Sequence, residues 1–340
     1  MISLVVTYGE RSTLVAETLD RLEVAAFSAD VGVVLNGASP ESARAVRARI
    51  PPELIVEIDS NLGSAGGFKA ALDFARERGE DVLLLDDDMG FDMGGVDVLE
   101  AHADKYREVN GDVPFAIACA QAGNEPEQKV LSGVDPFFAY PVFVRGSIEG
   151  FDVLSRFARR HRCVRAKQAP KFVGEAVGGA LVAVPIAPYG GLFVSIEALR
   201  TGISPREDMF VYCDDYEWTA RLVRGGTALM LDKAIRVSES TDSGKRAGVP
   251  KGYQRGLVDA PLGSRWRIAY RVRNAGYFYH SIAADRGAEL RFWSNCIVKV
   301  LYTMALGARS RKFGWALQIS RLYIRGARGV LGVSGVSEGV

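Results

Sequence analysis

Histidine and cysteine are scarce in this chain of 340 residues, which carries three of the first and four of the second. Cys119, Cys163, Cys213 and Cys296 stand far apart, with no CxxC pair or other ligand spacing among them. That excludes a disulfide framework or a zinc site as the organising feature, and it fits a reducing compartment. Long apolar runs are missing too. The most apolar stretch, Phe292 to Leu306, contains Asn295 and Lys299, whereas a membrane-crossing helix takes about 20 mostly apolar residues. The first residues, Met1-Ile-Ser-Leu-Val-Val-Thr-Tyr, lack the basic start and apolar core of a signal peptide. The expected location is therefore the cytoplasm. No internal repeat is present, which sets solenoids and propellers aside. Net charge is also nearly absent, with 42 Lys and Arg against 41 Asp and Glu. With 48% hydrophobic and 24% charged residues, the composition is that of a folded protein with one large or two modest domains.

The charge balance hides a division. From Ser243 to Val340 there are 17 Lys and Arg against 4 Asp and Glu, a net +13; the preceding 25 basic and 37 acidic residues leave −12. A basic end on an acidic body suggests different partners for the two parts. An anionic membrane surface, touched peripherally from the cytoplasmic side, is the sharper expectation. Arg265, Trp266, Arg267, Tyr270, Arg271 and Arg273 are the residues expected to touch it. Solvated helix faces and a homo-oligomeric helical interface are the competing uses. Nucleic acid is not expected, because no recognisable binding motif accompanies the charge.

What is present begins with short β-branched runs alternating with helical spacing. Strands are expected at Ile2–Thr7, Val31–Leu35, Leu54–Ile58 and Val82–Leu85, with helices after the first three. This alternation predicts an α/β fold: a mostly parallel sheet flanked by helices. Ligands of such sheets bind beyond the carboxyl ends of the strands, where Thr7-Tyr8, Asn36, Asn61 and Asp86–Asp88 all fall. Further strands are expected at Phe115–Cys119, Lys171–Val184, Leu192–Ile196 and Ala228–Leu231, and a helix at Trp218–Arg224. Ser243–Gly263 is rich in Gly, Pro and basic residues and reads as a mobile loop. A helical region follows to about Leu331. The domains expected are thus 1–242, 243–331 and a tail, 332–340.

Three segments carry chemistry. Val82–Leu85 runs straight into Asp86-Asp87-Asp88. Three carboxylates at the tip of a buried strand are costly unless a cation or partner offsets them. Extended alternation puts Asp86 and Asp88 on one side, which suits Mg²⁺ or Mn²⁺ held by carboxylates and substrate phosphates. A capping turn is the plain alternative. Asn61-Leu-Gly-Ser-Ala-Gly-Gly-Phe-Lys lies between a strand and a helix. Gly63, Gly66 and Gly67 permit either close approach to an anion at the helix start or simply a tight turn. Lys69 could meet a phosphate or cover the helix face. In Phe210-Val-Tyr-Cys-Asp-Asp-Tyr-Glu-Trp, crowding of Asp214, Asp215 and Glu217 is the arrangement expected of a general base. Helix capping by Asp214 is the alternative use.

Taken in order, Val5-Val-Thr-Tyr, Asn61-x-Gly-x-x-Gly-Gly-Phe, Asp86-x-Asp88 and Asp214-Asp-Tyr-Glu-x-x-x-Arg resemble family 2 glycosyltransferases over roughly residues 1–240. Gly66-Gly67-Phe68 and Trp266-x-x-Ala-Tyr-x-x-Arg273-Asn274 are similar to segments of the bacterial rhamnosyl- and galactofuranosyltransferases. The resemblance implies a GT-A fold, a UDP- or dTDP-sugar donor, inversion at the anomeric carbon, and a cell-envelope glycan or lipid-linked acceptor. It implies that Thr7, Tyr8 and Asn36 line the nucleoside, and that Asn61 and Gly67 lie against ribose and diphosphate. Arg11, Gly66, Lys69 and Asp87 are counted with these donor-binding residues. Asp86 and Asp88 would meet the metal, Mn²⁺ or Mg²⁺, and Asp215 would be the catalytic base. Tyr189-Gly190-Gly191 resembles the segment bordering the acceptor, with Asp214 and Glu217 beside it.

Two departures stand out. Leu35 precedes Asn36 where the family often has aspartate. No histidine lies in the Val237-Ser-Glu-Ser segment, where many members place a metal ligand, so Glu239 is the substitute expected. Two rival classes remain. A sugar nucleotidyltransferase would carry a Gly-rich, Arg-containing loop after the first strand, of which Tyr8-Gly9-Glu10-Arg11 is a poor version. A non-catalytic nucleotide-sugar-binding protein would have no need of Asp215.

Overall fold

The computed structural model describes residues 1–24, 30–91, 94–140, 148, 179–239, 253–285 and 287–332. They belong to two compact units, described separately. One is drawn from Met1–Ala139, Lys167–Glu207 and Asp215–Lys245, the other from Tyr140–Ala166, Asp208–Asp214 and Arg246–Val340.

The first unit is an α/β sheet flanked by helices. Its elements are β1 (Ile2–Gly9), α1 (Ser12–Val24), β2 (Asp30–Ala38), α2 (Pro40–Arg47), β3 (Ile55–Ile58), α3 (Gly63–Arg78), β4 (Val82–Asp86), β5 (Met89–Phe91), α4 (Gly95–Asn110), β6 (Phe115–Gln121), α5 (Glu125–Leu131), α6 (Pro136–Ala139), β7 (Leu181–Ala183), β8 (Leu192–Val194) and α7 (Ile196–Leu199). Helix α8 (Asp214–Arg224), part of this unit from Asp215 onward, and β9 (Ala228–Glu239) follow. The strand order is β3-β2-β1-β4-β8-β6-β9-β5, with β7 also paired to β9. β3, β2, β1 and β4 are parallel throughout, as is β6 with β9, while β8, β5 and β7 pair antiparallel. Both faces of the sheet are covered, so Leu4, Val5, Leu83, Leu84, Leu85 and Ile117 are wholly buried. That explains why these strands read as continuous apolar runs rather than alternating ones.

Several elements differ from the sequence expectation. The third strand starts at Ile55, because Pro52–Leu54 forms a 3₁₀ turn. Ile196 opens α7 rather than closing a strand, since Ser195 caps it by accepting the N–H of Ala198. Met89–Phe91 pairs with the far end of β9 instead of remaining a turn, and β9 continues past Asp232 through a register irregularity near Cys119 and Ala120. Helix α4 was not anticipated. Of the strand expected at Lys171–Val184, residues up to 178 lie outside the described residues, as do 243–252 of the expected loop and 333–340 of the tail.

The second unit is helical: α9 (Tyr253–Asp259), α10 (Arg265–Asp285), α11 (Glu289–Arg309) and α12 (Phe313–Ala327). Helix α9 corrects the expectation of a loop at those positions. Leu257 and Val258 make it amphipathic enough to join a core of Val272, Phe292, Cys296, Trp315, Ile319 and Tyr323. Gly276 and Gly326 bring α10 and α12 together. A Cβ on Gly326 would lie 1.7 Å from the Arg273 carbonyl oxygen, and one on Gly276 would lie 2.3 Å from that of Tyr323.

The expected membrane-touching run at 265–273 is also corrected in part. Tyr270 and Arg273 are buried, leaving Trp266, Arg267 and Arg271 at the surface. Tyr270 stacks on Phe210, and Arg273 donates to the Met209 carbonyl, which takes both side chains inward.

Candidate functional site

The parallel register sets the site out. Tyr8 lies beside Asn36, and Val6 beside Asp86, so the ends of β1, β2 and β4 deliver their polar residues to one edge of the sheet. Asp87 is the buried member of the acid triplet. Thr7 donates its hydroxyl to Asp87 Oδ2 at 2.6 Å, and Arg11 Nη1 pairs with Oδ1 at 2.9 Å. Thr18 donates to the Asp87 carbonyl at 2.7 Å. Burial pushes the Asp87 carboxyl up to about 6, against the pull of Arg11 and Thr7. Arg11 also reaches Asp88 at 3.7 Å and lies 4.8 Å over the Tyr8 ring, which is exposed. Asp86 and Asp88 are half-buried.

The glycine-rich segment serves packing as well as turning. Asn36 accepts the N–H of Leu62 and donates to the Gly63 carbonyl, so both ends of its buried amide are used within the protein. Asn61 accepts the N–H of Gly63 at 2.8 Å. Gly37, at φ +61°, must be glycine, because a Cβ would lie 2.2 Å from the Asn61 nitrogen. A Cβ on Gly67 would lie 2.7 Å from Val6 Cγ1, and one on Gly66 would lie 2.3 Å from Leu62 Cβ. Gly67 therefore seats α3 on the sheet, while Gly66 leaves room for Leu62 at the start of that helix. Lys69 is shared between Asp73 and Glu207, each at 3.5 Å.

On the other side of β4 stands the Tyr189-Gly190-Gly191 turn. A Cβ on Gly190 would fall 2.6 Å from Asp86 Oδ2 and 2.3 Å from Met89 Sδ, so the carboxylate occupies space that any side chain would take. Gly191, at φ +79°, donates its N–H to the Leu84 carbonyl. Tyr189 stacks on Phe68 at 4.2 Å and packs against Trp218 of α8.

Helix α8 carries the second acidic cluster. Asp215 Oδ1 accepts the N–H of Tyr216 at 2.8 Å, so Asp215 takes part in the first helical turn that Asp214 was expected to cap. Asp214 and Glu217 are buried, and Glu217 Oε1 pairs with Arg221 at 2.8 Å. The chain enters α8 under strain. Phe210, Tyr212 and Cys213 have φ of 66°, 67° and 62°, a left-handed region costly for residues with a Cβ and characteristic of functional segments. Asn274 holds this turn by donating to the carbonyls of Met209, Val211 and Tyr212 at 2.8–2.9 Å. Arg273 donates to the Met209 carbonyl and to Asn274 Oδ1. Burial lowers the Arg273 pKa to about 10.

Three residues of this region escaped the sequence reading. Thr219 accepts the N–H of Ala187 at 3.1 Å, and its hydroxyl sits 2.8 Å from the Asp215 carbonyl, tying α8 to the segment before Tyr189. Gln121 donates to the Gly190 carbonyl at 2.7 Å, while its own N–H is held by buried Glu127. Burial pushes Glu127 up to about 7. A threonine inside a helix and a glutamine ending a strand carry no sequence signal; only the fold brings them to the turn.

Among the described residues no group of three or more His, Cys, Asp or Glu side chains is placed to hold a metal ion. The side chain of Glu239 lies outside the described residues.

No family model matches the chain, and no curated protein matches it. Solved structures do. A mannosyltransferase, PcManGT from Pyrobaculum calidifontis in complex with GDP-Man and Mn²⁺, is 16% identical over 97% of this chain and 86% of its own, with a TM-score of 0.46. S. aureus TarS 1-349 is 12% identical over 96% and 91%, with a TM-score of 0.44. GalNAc-T7 with UDP, GalNAc and Mn²⁺ is 9% identical over 70% of this chain and 43% of its own, also at 0.44.

Proposed function

We propose that this chain is a glycosyltransferase of GT-A architecture, moving a sugar from a nucleotide-sugar donor to a hydroxyl acceptor with inversion. The observation that supports this most is one connected network. Asp86 ends β4 against Gly190, and Thr219 ties the segment before that turn to the carbonyl of Asp215. A donor-side acid, an acceptor-side turn and a base-bearing helix are thus parts of one unit.

In this reading the exposed Tyr8 ring and Arg11 border the nucleoside, with Thr7, Asn36, Gly66, Gly67 and Asp87 shaping the wall behind it. Asn61 and Lys69 flank the diphosphate. Asp86 and Asp88 are hard oxygen donors too few to hold Mn²⁺ or Mg²⁺ alone, and donor phosphates would complete the set. When bound, such an ion neutralises the leaving nucleoside diphosphate. Asp215 takes the proton of the acceptor hydroxyl as that oxygen attacks the anomeric carbon. Tyr189, Gly190, Gly191, Asp214 and Glu217 border the acceptor. A UDP- or dTDP-sugar of the rhamnose or galactofuranose type is the favoured donor. A cell-envelope glycan or lipid-linked intermediate, met at an anionic cytoplasmic surface by the basic C-terminal region, is the favoured acceptor.

Asp215→Asn tests the assignment. A positioned base contributes roughly 10²–10⁴ in rate, so the variant should bind UDP like the parent by calorimetry and lose turnover by that factor. An Asn variant that still turns over would remove Asp215 from the chemistry.

A further inference from the structure

Helix α11 carries apolar residues on its outer side as well as on the side that meets the core. Its inward side, Phe292, Asn295, Cys296, Lys299, Thr303 and Gly307, is buried in the helical unit. On the outward side Leu290 is 85% exposed, Ile297 60%, Leu301 63% and Tyr302 51%, with Val298 beside them. At 100° per residue, Leu290, Ile297 and Leu301 fall within about 40° of one another. Phe313, at the start of α12, adds another exposed ring. A folded domain rarely leaves a contiguous apolar stripe of this kind in water unless something covers it.

We infer that the outward side of α11 docks in the plane of an anionic lipid surface. No described helix is long and apolar enough to cross a membrane, and the buried Asn295 and Lys299 bind the other side of α11 into the protein. The geometry left is that of a helix lying at the interface, apolar side toward the acyl chains and basic residues among the headgroups. The charge favours lipid over a second copy. Arg291 and Arg309, about five turns apart, share one edge of the stripe, and Glu289 is the sole acid of α11 and α12. The chain from Ser243 onward carries net +13, so pairing two copies through this side would set like charges together, whereas an anionic headgroup layer neutralises them. The inference deepens the glycosyl-transfer reading by naming where a lipid-linked acceptor is met; that consequence rests on the reading, and the docking does not.

The test is flotation of the full chain with vesicles of phosphatidylcholine alone and of phosphatidylcholine mixed with phosphatidylglycerol. The parent should float with the mixed vesicles only. The double variant Ile297→Ser, Leu301→Ser should lose at least about tenfold in partitioning with the same melting temperature and the same hydrolysis of UDP-sugar in lipid-free buffer. Arg309→Glu, a second surface change, should weaken flotation as well. A parent that stays down with mixed vesicles, or a double variant that floats equally well, would overturn the docking. So would a lipid-free parent dimer, by sedimentation equilibrium, that the double variant abolishes. Intact flotation together with absent binding of both UDP and dTDP would leave the docking standing and defeat the glycosyltransferase reading.

Discussion

Asp87 sits in a place almost without water, held by one hydroxyl and one guanidinium. Its folded pKa, about 6, lies above its ordinary 3.8. The unfolded chain therefore gives up this proton first as pH rises, and the group subtracts stability across that window, by a constant amount above it. Removing Arg11 takes away the attraction that limits the shift, so the window widens toward higher pH. We expect Arg11→Met to cost about 1–3 kcal/mol near pH 8 and clearly less near pH 5, where Asp87 is protonated in the fold. Urea denaturation at the two pH values checks this; a loss independent of pH would mean that Arg11 acts through packing instead. Donor affinity should fall in the same variant, because Arg11 also covers Tyr8 and approaches Asp88. Thr7 and Asp87 were legible in the sequence as polar residues at strand ends. Their direct bond was not, since it joins a side chain of β1 to one in the turn after β4.

Elements decide what the glycines do. Gly66 and Gly67 read in the sequence as a turn that a phosphate could approach; in the fold Gly67 lets α3 press on Val6 and Asn36, and Gly66 leaves room for Leu62 at the helix start. Both uses ask for the same residue, because both need a missing Cβ, and a motif cannot tell them apart. The turn before α8 is a second case. Nothing in Phe210-Val-Tyr-Cys announces left-handed backbone, which non-glycine residues avoid unless neighbours impose it. Here Asn274 and Arg273 impose it, through carbonyls more than sixty residues away in the chain. Both clasp residues and the turn they hold belong to the helical unit. Asn274→Ala should cost about 1–3 kcal/mol of stability, because it leaves three carbonyls of the turn without their donor. Urea denaturation checks this; an unchanged midpoint would mean that the turn keeps its shape without the clasp.

For the whole molecule the division of charge is the property most open to measurement. The first part is net −12 and the remainder +13, and attraction between the basic region and anionic lipid falls as salt shortens its range from about 10 Å at 0.1 M to about 3 Å at 1 M. Vesicle binding should therefore weaken steeply through a salt series, leaving a residual part due to the apolar stripe of α11. Binding unaffected by salt would assign all of it to that stripe. The sequence by itself determined the alternation of strands and helices, the triplet at the end of β4 and the acids before Trp218, because buried runs and charged tips follow from solvation and local geometry. It also carried the charge division, which is simple arithmetic. Only the tertiary structure decided which acid is buried, which glycines serve packing, that Thr219 and Gln121 brace the Tyr189–Gly191 turn, and that α11 rather than the 265–273 run shows its apolar side. Those outcomes depend on contacts between residues distant in the chain, where registers between strands and the close approach of helices, not local preference, choose each side chain's surroundings.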